Sequence, residues 1–219
     1  MSTNVDYHFA PVKTAFRLLT DEERQTSLHR TMAHWDKRQD IWVFGYGSLV
    51  WRPEFDFLEQ RLAQLHGYHR ALCLWSRVNR GTPEQPGLVF GLEAGGSCRG
   101  MAYKIAASAA HTTLEALWRR EMVSGVYTPK WLNCRTAQGN INALIFTMNR
   151  KTHGYVGDLT KEKLITIVQG AHGRYGPCTE YVLETAHALK SAGIHDTKLE
   201  AIVQQLRGVV PNVSLNKNE

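Results

Sequence analysis

The stretch WVFGYGSLVWRP, residues 42–53, joins one short apolar run to a second through the tetrapeptide GYGS. The first run is typical of a β-strand that ends where the glycines begin. Gly45 and Gly47 allow a sharp bend of the backbone and a close approach of a ligand to main-chain amides. An ordinary turn at the end of a strand explains the same residues, so both interpretations stay open.

Three familiar glycine-containing motifs do not fit this turn. A dinucleotide-binding fingerprint that starts at Gly45 needs its third glycine at position 50, which is Val50. A hydrolase nucleophile elbow centred on Ser48 needs glycine at positions 46 and 50, and a phosphate-binding loop needs a lysine after its last glycine. The residues therefore predict a bent backbone beside one tyrosine and one hydroxyl, without a standard nucleotide site.

The chain around this turn has the pattern of an α+β protein. Short strand-like runs separated by turn-forming stretches fill the middle of the sequence, and they lie at 42–49, 62–66, 71–75, 88–92, 100–105, 130–134 and 141–147. Helical periodicity precedes, interrupts and follows them. We therefore expect a mixed sheet or a small mixed β-barrel with packed helices.

Each predicted helix begins with a residue suited to a helix N-terminus. The predicted helices lie at 20–38, 111–123, 161–172, 178–191 and 197–207. The first two carry capping boxes, and the other three are opened by a threonine, a proline and an aspartate: Thr20 with Glu23, Thr112 with Glu115, then Thr160, Pro177 and Asp196. Residues 158–210 are accordingly expected to be helical.

Composition narrows the classes of function. The 219-residue chain has a net charge of +6, but its basic residues are scattered among acidic ones, which does not favour nucleic-acid binding and does suit a small anionic ligand. We find neither an apolar run of about 18–20 residues nor a secretory signal, so we expect a cytoplasmic protein without stable membrane association. The four cysteines are widely spaced and are expected to be free thiols.

Glu121 stands out in the predicted helix over 111–123. It lies seven residues after Leu114 and four after Leu117, on the stripe that faces the core. Desolvation and the helix dipole would both raise the pKa of its carboxyl group, and Arg119 or Arg120 would lower it if a guanidinium reached it. A solvated salt bridge at the edge of the stripe is the alternative.

Histidine spacing gives no indication of a metal site. His66 and His69 resemble a chelating pair, but residues three apart in a strand point to opposite faces. We therefore expect no bound metal.

The segments WVFGYGSLVWRP, RRE ending at Glu121, GYVGD at 154–158 and GRYGPCTEYV at 173–182 together resemble landmarks of the ChaC family of γ-glutamylcyclotransferases, in its glutathione-specific branch. The resemblance spans residues 41 to about 210. It implies an N-terminal extension with a helix over 1–40 and a γ-glutamylcyclotransferase domain over 41–219.

The resemblance also implies a function and a site. The expected reaction cleaves glutathione into 5-oxoproline and cysteinylglycine without a cofactor or metal, with Glu121 as general acid and base. The family's tyrosine–glycine–serine–leucine segment and its neighbours hold the γ-glutamyl group. The corresponding positions here are Val43, Phe44, Gly45, Tyr46, Gly47, Ser48 and Leu49.

Two other functions remain open from the sequence. The first is a hydrolase that uses Ser48 as its nucleophile, with partners distant in the chain. The second is a non-catalytic regulator that binds a membrane transporter, an association that the family's name also carries. Consumption of glutathione by the purified protein distinguishes the regulator from an enzyme.

Overall fold

Five strands form a closed barrel at the centre of residues 17–209, the part of the chain that the computed structural model describes. Their order around the barrel is β1-β3-β2-β4-β5, and β5 returns to pair with β1. The pairing of β1 with β5 is parallel and the other pairings are antiparallel. The strands are β1 (Ile41–Gly45), β2 (Glu59–Ser76), β3 (Gly87–Ile105), β4 (Tyr127–Thr136) and β5 (Gly139–Met148).

Strands β2 and β3 are much longer than the sequence pattern indicated. They pair along almost their whole length, so the prediction of separate strands over 62–66 and 71–75, and over 88–92 and 100–105, was wrong. The turn-forming residues lie within the pair, where Gly67, Gly95 and Gly96 have φ values of 83°, 98° and 72°. Because glycine adopts positive φ readily, both strands bend at the same place instead of ending.

The described helices are α1 (Asp21–Met32), α2 (Ala107–Glu121), α3 (Lys161–Gly170), α4 (Cys178–Ser191) and α5 (Thr197–Val209), and together with the barrel they confirm the predicted α+β class. A short 3₁₀ turn, Ser48–Val50, follows β1. No helix among these residues is long and apolar enough to cross a membrane.

The N-terminal caps were predicted well at three of these helices. Thr20 and Glu23 form the expected capping box, with backbone-to-side-chain distances of 2.9 and 3.2 Å. The Thr160 side chain accepts from the amide of Lys163, and Asp196 accepts from the amide of Leu199. These local hydrogen bonds depend only on neighbouring residues, which is why the sequence reveals them.

Helix α2 starts earlier than predicted. Its N-cap is Ala106, and the amide of Ala107 donates to the carboxylate of Asp40 at 2.9 Å. Thr112 and Glu115 lie inside the helix, so the capping box predicted there was wrong. A cap supplied by a residue distant in sequence leaves no local pattern to detect.

Four other predicted elements extended too far, among them the helix predicted over 111–123, which ends at Glu121. The first helix ends at Met32 instead of residue 38, and the third ends at Gly170 instead of 172. The strand predicted over 42–49 ends at Gly45, because the chain turns at the two glycines and then enters the 3₁₀ turn.

Two apolar cores stabilise the barrel. One fills its interior and continues under α3, α4 and α5, with Phe44, Leu88 and Val182 among its fully buried side chains. The other lies between the barrel and α1 and α2, where Trp118 meets Phe146 with ring centroids 5.2 Å apart.

Helix α1 belongs to the second core. Leu28 is buried there, and the Trp118 indole donates to the Ser27 hydroxyl at 3.2 Å. The indole of Trp131 in β4 donates to the carbonyl of Thr31 at 2.8 Å. The division of the chain at residue 40 stays a prediction, although this helix packs on the barrel. Residues 1–16 of the predicted extension lie outside the described residues.

A small hairpin, β6 (His172–Gly173) with β7 (Gly176–Pro177), packs on the loop over 77–86 that follows β2. The amide of Arg174 donates to the carbonyl of Val78 at 2.8 Å, and that of Tyr175 donates to the carbonyl of Asn79 at 2.9 Å. At Gly173 a Cβ atom would lie 2.4 Å from the backbone nitrogen of Gly81. The absence of a side chain at Gly173 therefore lets hairpin and loop approach.

We predict that Gly173→Ala lowers the free energy of unfolding by about 1–3 kcal/mol, because the added methyl group forces backbone apart. The matched control is Gly208→Ala in α5, where nothing lies within 4 Å of the added atom. That change should stabilise the protein by up to about 1 kcal/mol, since alanine favours helix over glycine. Urea unfolding of both variants measures the difference. Equal effects of the two substitutions would contradict the packing described here.

Candidate active site

A cavity of about 380 Å³ opens beside the barrel, where the turn after β1, the end of α2 and the loop after β2 meet. This volume lies within the range of ligand sites in proteins. Four different elements contribute polar side chains to it: the 3₁₀ turn, α2, β4 and α4 supply Ser48, Glu121, Tyr127 and Tyr181. Residues from distant parts of the sequence therefore share one pocket.

Glu121 is the last residue of α2 and lines this cavity. Leu114 and Leu117 on the same stripe are buried, as predicted, and only 16% of the Glu121 side chain is exposed. Burial raises the pKa of its carboxyl group; Arg120 opposes this rise, and the nearby Glu54 carboxylate adds to it. The position at a helix C-terminus further disfavours negative charge. The arrangement suits a carboxylate that takes up a proton.

Three buried tyrosines lie close enough to Glu121 for its charge to affect their hydroxyl groups. The Tyr46 hydroxyl donates to the carbonyl of Phe146 at 2.7 Å, and the Tyr127 hydroxyl donates to the carbonyl of Phe90 at 3.0 Å. The Tyr181 hydroxyl accepts from the amide of Phe90 at 3.1 Å. Burial raises the pKa of all three phenols, and the Glu121 charge raises each further. They therefore remain neutral hydrogen-bonding groups near the carboxylate.

The two glycines of the turn meet different neighbours. A Cβ at Gly45 would lie 2.9 Å from the Cβ of Leu49, and one at Gly47 would lie 3.1 Å from the Tyr181 hydroxyl oxygen. Gly47 has a φ of −123°, so its conformation does not demand glycine on account of positive φ. The close approach of Tyr181 is one feature that favours glycine at this position.

The amides that follow the bend are available for a ligand. Within residues 17–209 no group accepts a hydrogen bond from the amide of Gly47 or Ser48, whereas their carbonyls accept from Val50 and Trp51. Backbone amides presented in this way bind carboxylates and oxyanions.

The seven predicted substrate-binding residues differ in their access to the cavity. Six of them are buried, and Ser48 is half-buried and lines the cavity. The side chains of Val43 and Phe44 are fully buried in the two cores. Tyr46 is buried too, and its contribution near the cavity is the hydroxyl group described above. The side chains of these strand residues hold the turn in place.

Arg70 fixes the turn from the side of β2. Its Nε donates to the carbonyl of Tyr46 at 2.6 Å, and its Nη2 donates to the carbonyl of Arg99 at 2.6 Å. Its Nη1 pairs with the carboxylate of Asp196, the residue that also caps α5. With 3% of the Arg70 side chain exposed, one buried guanidinium connects the turn, β3 and the C-terminal helices.

Ser48 lacks the partners of an activated nucleophile. Its Oγ accepts a hydrogen bond from Nη2 of Arg120 at 2.9 Å. No histidine or carboxylate among the described residues accepts a hydrogen bond from this hydroxyl group. A serine nucleophile needs a base that takes its proton, and a guanidinium is always a donor.

The cavity is rich in arginine. Six arginines line it beside two carboxylates, and these are Arg52, Arg77, Arg80, Arg119, Arg120, Arg174, Glu54 and Glu121. Only 6% of the Arg80 side chain is exposed, and its Nη1 donates to the carbonyl of Pro177 at 3.1 Å. The positive charge that is scattered in sequence is concentrated here in space.

Most of these side chains were missed by sequence reasoning. The arginines come from four separate segments, and no local motif predicts that they converge. No sequence pattern indicated that Tyr127 belongs to a site. Tyr181 lies in the segment GRYGPCTEYV, which resembles the family, but no functional role was predicted for it. Only the net positive charge of the chain pointed to these arginines. It indicated that the ligand is an anion, but not where in the structure the anion binds.

Metal ligands and reactive thiols are not evident near the cavity. Residues 17–209 contain no group of three or more histidine, cysteine or acidic side chains that could hold a metal ion. All four cysteines are free and buried. Burial raises the pKa of Cys73 and Cys134 to about 12 each, which makes their thiolates scarce near neutral pH.

Comparison with known proteins identifies the class. A crystal structure of a yeast γ-glutamylcyclotransferase specific to glutathione is similar to this chain with a TM-score of 0.72, at 21% identity, over 77% of this chain and 96% of that chain. The chain thus has a γ-glutamylcyclotransferase-like fold.

The sequence comparisons agree with this class. The ChaC-like protein family matches residues 41–209. A glutathione-specific γ-glutamylcyclotransferase of Escherichia coli K12 is 32% identical over 205 residues, 90% of this chain and 89% of the relative. Human glutathione-specific γ-glutamylcyclotransferase 1 is 31% identical over 180 residues, 79% of this chain and 81% of the relative. The chain belongs to the ChaC-like protein family, which confirms the resemblance seen in its motifs, and these relatives are enzymes.

We predict that Gly47→Val abolishes ligand binding in this cavity while the circular dichroism spectrum stays near that of the wild type. The new side chain displaces the Tyr181 hydroxyl and covers the adjoining amides, since even a Cβ lies 3.1 Å from that oxygen. Gly47→Ala, which adds the Cβ alone, should weaken binding less. Calorimetric titration with glutathione measures both variants. Unfolding of Gly47→Val would instead favour the interpretation of this segment as an ordinary structural turn.

A second prediction concerns the dependence of stability on pH. Because burial raises the pKa of Glu121 in the folded protein, the folded state binds this proton more strongly than the unfolded chain. The resulting stabilisation is full below the unfolded pKa, about 4, and is lost as pH rises through the folded pKa. Glu121→Gln avoids this loss, so its advantage in unfolding free energy over the wild type should grow from pH 4 to pH 8.

Urea unfolding across that pH range provides the measurement. Glu184→Gln, at an exposed position in α4, is the control and should show a nearly constant difference from the wild type. A wild-type protein that gains stability relative to Glu121→Gln as pH rises would contradict the buried, desolvated carboxylate.

Proposed function

We propose that the protein is a glutathione-specific γ-glutamylcyclotransferase that converts glutathione into 5-oxoproline and cysteinylglycine. The observation that carries this proposal is the desolvated carboxylate of Glu121 in a cavity lined by arginines and by Ser48 of the turn. The names of the Escherichia coli and human relatives support the choice of substrate.

The proposed reaction is intramolecular. The substrate's α-amine attacks its own γ-carbonyl carbon and closes a five-membered ring, and the bond from that carbon to the cysteinyl nitrogen then breaks. One proton leaves the amine and one arrives on the departing nitrogen, so no water is consumed. Because both reacting groups belong to one molecule, the enzyme gains most by holding the substrate in a folded conformation.

Glu121 is the proposed carrier of the proton. An α-amine is largely protonated near neutral pH and cannot attack until it loses a proton. Burial raises the pKa of Glu121, which makes this carboxylate a stronger base than an exposed glutamate. After accepting the proton, the carboxylic acid can return it to the leaving nitrogen.

The surrounding groups suit the charges of glutathione. The amides of Gly47 and Ser48 can donate to a substrate carboxylate or to the oxygen that becomes negative in the transition state. Glutathione carries two carboxylates and one ammonium, about −1 overall, and the arginines favour such an anion. We propose that Arg80, a buried residue that lines the cavity, binds one of these carboxylates.

Every proposed step uses the substrate and one protein carboxylate, so the reaction requires no metal or redox cofactor. The hydrogen bonds of Ser48 do not support the hydrolase alternative, because its hydroxyl accepts from Arg120 and no base among the described residues accepts from it. A regulator without catalytic activity would not need a desolvated carboxylate in its cavity.

We predict that Glu121→Gln lowers turnover of glutathione by about 10²–10⁴-fold, the usual contribution of a general base. The amide keeps the shape of the side chain and cannot take up a proton. Simultaneous assay of 5-oxoproline and cysteinylglycine measures turnover, and Glu184→Gln, outside the cavity, is the control that should retain activity. More than about a tenth of wild-type turnover in Glu121→Gln would exclude Glu121 as the base.

A further inference from the structure

The side chain of Arg120 connects Glu121, at the end of α2, with Ser48, in the 3₁₀ turn. Its Nε lies 3.2 Å from Oε1 of Glu121, and its Nη2 donates to Oγ of Ser48 at 2.9 Å. Its Nη1 reaches the loop that follows the 3₁₀ turn, with three acceptors: the carbonyls of Arg52 and Pro53 at 2.7 and 3.3 Å, and the carboxylate of Glu54 at 3.0 Å. All three nitrogens of the guanidinium therefore have partners.

The contact between Arg120 and Glu121 is specific to the end of this helix. Consecutive residues of a helix do not face each other, so an ion pair between them is unusual. Here the helix ends at Glu121, and Met122 leaves the helical conformation with φ −96° and ψ 39°. Both side chains line the cavity.

Glu54 provides an independent sign that the loop is adapted to Arg120. Its φ of 59° makes it the one non-glycine residue with positive φ in the described part of the chain. A glutamate adopts this conformation at a cost in free energy, and such residues concentrate at functional sites. The conformation brings the carboxylate of Glu54 within hydrogen-bonding distance of both Arg52 and Arg120.

We propose that Arg120 is a positioning residue of the reaction: its planar guanidinium pairs with the Glu121 carboxylate and fixes the Ser48 hydroxyl relative to it. This inference rests on the function proposed above. Because the Ser48 oxygen accepts from Arg120, its own proton remains to be donated to an acceptor on the substrate. Ser48 thus acts as a hydrogen-bond donor at a fixed distance from the base.

The charge on Glu121 is governed by groups from several elements. Arg120 on α2 lowers the pKa of this carboxyl group, whereas burial and the Glu54 carboxylate raise it. The other titratable groups that respond to its charge are the phenols of Tyr46, Tyr127 and Tyr181, from the turn, β4 and α4, and they stay neutral. Arg120 is therefore the cation that keeps a desolvated carboxylate available as a base.

The test compares Arg120→Gln with Arg119→Gln. Both substitutions remove one positive charge from the cavity wall, and Arg119 is exposed and contributes no lowering of the Glu121 pKa. In enzyme labelled with ¹³C at glutamate carboxyl groups, the Glu121 signal is assigned by its absence in Glu121→Gln. Its titration is then followed without substrate. Arg120→Gln should raise the pKa of Glu121 and move the acid limb of the kcat/KM profile to higher pH, whereas Arg119→Gln should do neither.

A second pair of variants tests the link to Ser48. Arg120→Lys keeps the charge but loses the planar fork, so kcat should fall about 10–100-fold while the acid limb stays closer to its wild-type pH. Ser48→Ala should make a further change at Arg120 less costly, since the hydrogen bond between them is already lost. Additive losses in the Arg120→Lys, Ser48→Ala cycle would show that the two residues act independently.

The outcomes separate this inference from the proposed function. An unchanged Glu121 titration in Arg120→Gln overturns the role of Arg120, even if Glu121→Gln is inactive. Retained turnover in Glu121→Gln overturns the proposed function instead, because the titration of Glu121 is read without turnover. If Arg120→Gln does not fold, Arg120→Lys and the cycle with Ser48→Ala still decide between coupled and independent action.

Discussion

Desolvation of the Glu121 carboxylate is the constraint on which the arrangement of the site depends. A charged group with 16% of its side chain exposed needs compensation, and the end of α2 adds an unfavourable dipole. The compensation comes from Arg120, whose guanidinium is in turn held by the loop and by Ser48. The carboxylate therefore remains ionisable without being fully neutralised. Such a balance gives a base whose proton affinity exceeds that of an exposed glutamate.

The barrel supplies the rigid frame for this balance. The parallel pairing of β1 with β5 closes the barrel. The turn that carries Ser48 comes directly after β1 in the chain, so one of its ends is fixed by a strand of the barrel. Arg70 then fixes the turn by binding the carbonyl of Tyr46 and the carboxylate of Asp196. The C-terminal helices are thereby tied to the segment that presents Ser48. A site assembled from loops alone would hold these groups less accurately.

The sequence predicted those features that are encoded locally. The α+β class, the caps at Thr20 and Thr160, and the position of Glu121 on an apolar stripe all follow from short-range patterns. The continuity of β2 and β3 was missed because glycines with positive φ bend strands as readily as they end them. The cap from Asp40 and the convergence of arginines and tyrosines arise only in three dimensions. A single sequence carries no local signal for contacts of this kind.

The proposed reaction depends on attack by the substrate's own α-amine on its γ-carbonyl. The most direct measurement compares glutathione with N-acetyl-glutathione as substrates of the purified protein. We expect equimolar 5-oxoproline and cysteinylglycine from glutathione, and no release of cysteinylglycine from the acetylated peptide, because acetylation removes the nucleophile. Efficient release of cysteinylglycine from N-acetyl-glutathione would exclude attack by the α-amine and would indicate a hydrolase in which Ser48 attacks.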